Sequence, residues 1–148
     1  MLKQNILLAI LASVLAGASL AQAAEPQVFG DYTVYHNAFS TNTLQPKMAE
    51  VYNIVRSKNR GMLTISVIKK SMAPIGTPMH AKIVASASNL TGQLRNLDMR
   101  EVTEDTSIYY LSEFQVRHEE VLDFNLEITP EGESRPFTVK FRQKFYTE

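Results

Sequence analysis

VLDFNLEIT, residues 121–129, alternates between apolar and polar side chains without a break. Leu122, Phe124, Leu126 and Ile128 fall on one face of an extended chain, and Asp123, Asn125 and Glu127 fall on the other. Successive side chains of a strand point to opposite faces, so this pattern predicts a strand with one face buried and one in water. Burying the four apolar side chains contributes on the order of 6–12 kcal/mol gross. That is large enough to set which way the strand faces, whatever its surface charges prefer.

The next alternating run supplies a partner. Over 137–146, Phe137, Val139, Phe141 and Phe145 share the inward face, and Lys140, Arg142 and Lys144 share the outward one. PEGESRP, residues 130–136, lies between as a Pro- and Gly-bounded hairpin connection. Pairing around it sets Glu127 opposite Lys140 and Asp123 opposite Lys144. Cross-strand ion pairs contribute roughly 0.2–1 kcal/mol each. The cationic stripe is therefore neutralised by its neighbour, and no nucleic-acid surface is expected from it.

The same period recurs over 29–39, 51–56, 61–70, 79–88, 93–102 and 107–116. Together with 120–129 and 137–146, these runs predict an all-β domain, a single antiparallel β-sandwich of about seven to eight strands. One stretch departs from the pattern. Pro46, Met48, Val51, Tyr52 and Val55 suit a helical turn over 46–51, with Pro46 at its first position, running into an extended segment. A small outer-membrane barrel is the architectural alternative. Against it stand the absence of Trp for an aromatic girdle, the terminal Glu148, and a half-polar strand face at Lys82, Val84, Ser86 and Ser88.

The first residues carry an address. Lys3 precedes the apolar run from Ile6 to Leu15, and small residues follow over 17–24. This is the order of a secretory signal peptide, with an apolar core too short to span a bilayer. Ala21-Gln22-Ala23 fits the A-x-A rule, so residues 1–23 are expected to be cleaved, leaving one domain over 24–148; a cut after Ala21 is the alternative. Lys3 is the only charged residue lost, from a chain with 15 basic and 15 acidic side chains, so the mature protein is close to neutral. Such a balance gives no global attraction to nucleic acid or anionic membrane. No second apolar stretch of membrane length follows. With no cysteine, the chain has no disulfide, no thiol chemistry and no cysteine metal site.

Catalytic motifs are missing. His36, His80 and His118 lie in separate segments without metal-ligand spacing, and would have to converge in space to hold an ion. No serine sits in a nucleophile motif, the six glycines form no phosphate loop, and no carboxylate pair is singled out by spacing. No enzyme activity and no cofactor are expected. The alternatives are a metal- or carboxylate-dependent hydrolase built on those histidines, and a carrier of a small apolar ligand held between the sheets.

Two loops stand out. VRSKNRGMLTIS, residues 55–66, crowds Arg56, Lys58 and Arg60 ahead of Gly61 and an apolar run. Asn59 and Gly61 both tolerate positive φ, so the bland reading is a short turn between strands; the functional one is a grip on an anionic partner by Arg56, Lys58, Asn59 and Arg60. SMAPIGTPM, residues 71–79, places Met72, Ile75 and Met79 in a loop whose prolines keep it out of a central strand. It is either a plug over the end of the sandwich or an apolar contact surface.

FGDYTVYHNAF, VRSKNRGMLTISV, NLTGQLR, IYYLSEF and the ending FRQKFYTE resemble an uncharacterised family of small exported proteins of Gram-negative bacteria, family 4426 of the domains of unknown function. The resemblance spans Phe29 to Glu148. It implies a periplasmic, immunoglobulin-like β-sandwich and carries over no catalytic residue. The expectation for function is a soluble, non-catalytic periplasmic protein that binds a protein or envelope component through its end loops.

Overall fold

The alternating stretch around Phe124 is the centre of one of two sheets. The computed structural model describes residues 24–148, and the expected signal peptide over 1–23 lies outside the described residues. One sheet holds β1 (Gln27–Phe29), β2 (Tyr32–Ser40), β3 (Arg60–Lys69), β4 (Thr77–Pro78), β7 (Arg100–Glu104) and β8 (Ser107–Gln115). Its order is β1-β2-β3-β8-β7, with β4 on β3 beyond the end of β8. The other sheet has the order β10-β9-β5-β6, built from β5 (Ala81–Asn89), β6 (Leu94–Leu97), β9 (Glu120–Pro130) and β10 (Phe137–Phe145). All pairs are antiparallel, and the sheets pack face to face as the expected sandwich.

Leu122, Phe124, Leu126 and Ile128 are buried as their period requires, and meet Val34, Leu63, Ile65, Val67, Tyr110 and Phe114 from the facing sheet. Size complementarity fixes the fit within the β9 sheet. Phe124 lies opposite Ala87 and Leu126 opposite Ala85 across the β5–β9 pair, so large side chains sit beside small ones.

The hairpin of β9 and β10 forms, but its register is two residues away from the expected one. Asp123 faces Arg142, Asn125 faces Lys140, and Glu127 faces Thr138. A shift of two keeps every side chain on its face, so apolar burial cannot distinguish the two registers; the connection between the strands does. The stripe is still neutralised in part. Arg142 Nε and Nη2 donate to both carboxylate oxygens of Asp123, at 2.6 and 3.0 Å, and Lys144 Nζ lies 3.7 Å from Glu119. The guanidinium fork holds the Asp123 carboxyl below its usual range.

Three expected strands differ from the structure. The run over 29–39 is broken by a turn at Gly30–Asp31 into β1 and β2. The run over 93–102 is broken at 98–99, where the chain leaves one sheet for the other, giving β6 and β7. The expected strand over 51–56 does not form. The helical turn does, as α1 (Pro46–Val51), and Asn53 ends it in the left-handed region at φ 54°. Ile54 N donates to Ala49 O at 2.7 Å and Asn53 N to Glu50 O at 3.2 Å, the paired bonds of a Schellman ending.

That ending folds the segment back over the outer face of the first sheet. Leu44, Ala49, Tyr52 and Ile54 pack there on Met62, Tyr109 and Leu111 in a second apolar cluster. It explains why β3 is buried on both faces, and why the adjacent Tyr109 and Tyr110 are both buried while pointing opposite ways. Tyr52 Oη donates to Glu104 at 2.8 Å, tying the segment to β7; burial and that acceptor push its phenol up.

Candidate functional site

The basic stretch is not a turn between strands. It is the return from α1 to β3, and Thr41 holds it. Thr41 Oγ1 donates to Val55 O at 2.8 Å and accepts from Ser57 N at 2.9 Å. Arg56 serves the same construction, donating from Nε to Leu44 O at 2.7 Å and from Nη2 to Asn42 O at 3.0 Å. Its guanidinium is spent on backbone carbonyls. Lys58 is exposed, and Asn59 gives its carbonyl to Val116 N at 2.9 Å. Neither Asn59 nor Gly61 has positive φ. Gly61 is required for another reason: a Cβ there would lie 2.7 Å from Phe114 Cζ, inside the space the ring occupies.

Arg60 is placed differently. It opens β3 at one end of the sandwich, where the approach to β3, the start of β6 and the β8–β9 connection leave a cleft of about 880 Å³. Arg95 and Arg117 line the same cleft, and Glu120 is the acid among its lining residues. Arg95 is engaged: Nη1 donates to Gln115 O at 2.5 Å and Nη2 to Glu120 Oε1 at 2.9 Å. Arg60 Nε is buried without an acceptor, and Arg117 makes no side-chain hydrogen bond or ion pair among the described residues. A buried, unpaired guanidinium nitrogen is costly to leave unsatisfied. Exposed Val55 and Leu94 form apolar parts of the wall, and buried Val116 lines the interior.

Of the residues singled out in the sequence, Asn59 and Arg60 reach this cleft. Arg95, Arg117 and Glu120 were not foreseen, because together with Arg60 they come from three segments whose meeting depends on strand order. Nothing in their linear spacing signals it.

Met72 and Ile75 of the apolar loop are held out in solvent, Ile75 at 81% exposure, whereas Met79 packs on the core. The loop lies beyond Lys69 and the cleft before Gly61, so the ten residues of β3 separate them, by about 30 Å at strand rise. The two loops therefore belong to opposite ends of the domain and cannot share one small ligand.

The histidines do not converge. His80 Nδ1 contacts Glu101, and His118 Nδ1 accepts from Thr147 N at 3.1 Å in the β8–β9 connection. Among the described residues no three His, Cys, Asp or Glu side chains gather as a metal cluster. His36 lies between the sheets at 5% exposure, its ring 4.5 Å from that of Phe141, with neither nitrogen hydrogen-bonded to a protein group.

Desolvation pushes the His36 pKa down. Below an ordinary unfolded value of about 6.5, the unfolded chain binds this proton before the folded one does, so stability falls as pH drops. Melting curves from pH 7.5 to 5 are expected to show a decline that His36→Gln flattens. An equal decline in both proteins would assign the acid sensitivity elsewhere.

The fold has known relatives. A crystal structure of a DUF4426 family protein from Pseudomonas aeruginosa PAO1 superimposes with a TM-score of 0.72 at 32% identity, covering 86% of this chain and 98% of that one. FetP of uropathogenic Escherichia coli strain F11, recombinantly expressed in the E. coli periplasm, matches at a TM-score of 0.58 and 12% identity, over 85% of this chain and 95% of FetP. A copper-bound variant of FetP matches at 0.56 and 12%, over 85% and 92%. At that identity the similarity to FetP is one of fold. Among curated proteins none matches this chain. The family model for the domain of unknown function DUF4426 matches residues 26–148, and the chain belongs to that family.

Proposed function

We propose that this protein is a non-catalytic binding module of the periplasm, which grips an acidic protein or envelope component in the arginine cleft at one end of its sandwich. The observation that carries this reading is the cleft itself, which brings Arg60, Arg95 and Arg117 together against a single acid, Glu120. Loops at the end of a rigid sandwich are a common place for binding, and paired guanidinium groups suit carboxylates. The secretory pattern of residues 1–23 supports the compartment, and FetP shows the same sandwich in a protein produced in the periplasm.

The test is a cross-linked pull-down from periplasmic extract with tagged protein, and with a second bait carrying Arg60→Ala and Arg117→Ala. A partner captured by the first bait and reduced about tenfold or more on the second is the expected result. A partner held equally by both baits would remove the cleft from the binding surface.

A further inference from the structure

β8 has an edge that its sheet leaves open. Arg60 lies opposite Gln115, and Val116 N donates to Asn59 O at 2.9 Å. Hydrogen-bonded and non-bonded pairs alternate along an antiparallel ladder, so Glu113 and Gln115 turn their N–H and C=O groups away from β3. On that other side β7 begins only at Arg100, opposite Leu111, because the chain at 98–99 is still crossing from β6. Gln115 O accepts from Arg95 Nη1 at 2.5 Å. The Glu113 N–H and C=O and the Gln115 N–H have no hydrogen-bond partner among the described residues. Beside them a groove of about 480 Å³ runs between β6 and β8, and it shares Arg95 and Gln115 with the arginine cleft.

We infer that the partner presents a free C-terminal tail, which adds as a short strand to this edge of β8 and delivers its terminal carboxylate into the cleft. This rests on the reading of the cleft given above. Unpaired strand edges accept added strands. A chain running parallel to β8 sets one residue between the free groups, its N–H on Glu113 O and its C=O on the Gln115 N–H. That direction leads to the cleft, which lies at the Gln115 end of β8. One residue further on, at about 3.3 Å of rise, the chain end lies over the cleft. Charge selects the direction. Arg60 and Arg117 stand at the cleft end, whereas Asp98 and Glu113 line the groove. A terminal carboxylate suits the first and a cationic or hydroxyl side chain upstream suits the second. A chain laid the other way would aim its amino terminus at the arginines.

The experiment starts from an array of pentapeptides varied at every position, made with free carboxylates and again as carboxamides. The free-acid peptide that binds most tightly is titrated while the amide signals of Glu113 and Gln115 are followed. It is then remade with N-methylation of the penultimate residue, and separately of the last residue, whose N–H points out of the ladder. The expected result is a loss of about tenfold or more for the carboxamide. Methylation of the penultimate residue is expected to cost about tenfold, that of the last residue far less, and the Gln115 amide to shift on binding.

Equal binding of the two methylated peptides would overturn strand addition and leave the cleft reading standing. Carboxamides bound as tightly as free acids, with Arg60→Ala and Arg117→Ala without effect on either, would overturn both. Binding to neither array would overturn the C-terminal tail as the occupant.

Discussion

Phe124→Ala is expected to cost about 3–5 kcal/mol, most of what a marginally stable domain has to lose. Phe124 is 2% exposed and belongs to the main core between the sheets. Its ring stacks on Phe141 at 4.7 Å and meets Phe114 at 5.6 Å and Phe145 at 6.5 Å. Its cross-strand neighbour on β5 is Ala87, too small to move into the space. The hole would therefore stay largely open, and both lost burial and lost contacts would count. Urea unfolding should show the loss at unchanged slope, and the melting temperature should fall on the order of 10–20 °C. Phe124→Leu, which keeps much of the volume, should cost markedly less. A loss of under about 1 kcal/mol for the alanine variant would mean the sheets close over the site.

Gly61→Ala is the second large effect, and its cause is unusual for a glycine. Strain at positive φ is not involved, since Gly61 does not adopt it. The obstacle is Phe114 on the paired position of β8, with Cζ 2.7 Å from where the new Cβ would stand. That ring cannot swing aside cheaply, because Phe124 and Phe145 pack against it. Overpacking of this sort costs about 1–3 kcal/mol. The diagnostic is a double-mutant cycle with Phe114→Leu. Gly61→Ala should cost much less in the leucine background, with the two changes coupled by more than about 0.5 kcal/mol. Simple additivity of the two losses would show that the glycine is needed for its backbone and not for the ring.

Much of the sandwich was legible because the relevant signal is local. Leu122, Phe124, Leu126 and Ile128 announce a half-buried strand through spacing alone, and Pro46 announces the short helix. Legibility failed where a second layer intervenes. Met62 and Tyr109 look like the solvent side of their strands, and become core only because the segment ending in Ile54 covers them. The strand expected over 51–56 failed for the same reason. Tyr52 and Ile54 are apolar for the sake of that cover, while Val51 and Val55 are exposed.

The candidate site was legible to a lesser degree. Arg56, Lys58 and Arg60 are equivalent in a one-dimensional reading, yet the structure gives Arg56 to the carbonyls of Leu44 and Asn42, leaves Lys58 in solvent and turns Arg60 into the cleft. Which cation has a partner is a property of distances that neighbours in space supply.

By itself the sequence determined the strand character of the chain, which face of β9 and β10 is buried, and the presence of α1. Period-two alternation and a proline at a helix start act within a few residues, so no knowledge of the rest of the fold is needed. Only the tertiary structure decided the register of the β9–β10 hairpin, the change of sheet at 98–99, the burial of both faces of β3, and the meeting of Arg60, Arg95, Arg117 and Glu120. A register slip of two residues leaves the hydrophobic pattern unchanged, and a cleft assembled from three connections exists only once the sheets have stacked. Alternation specifies a face, and packing specifies the neighbour.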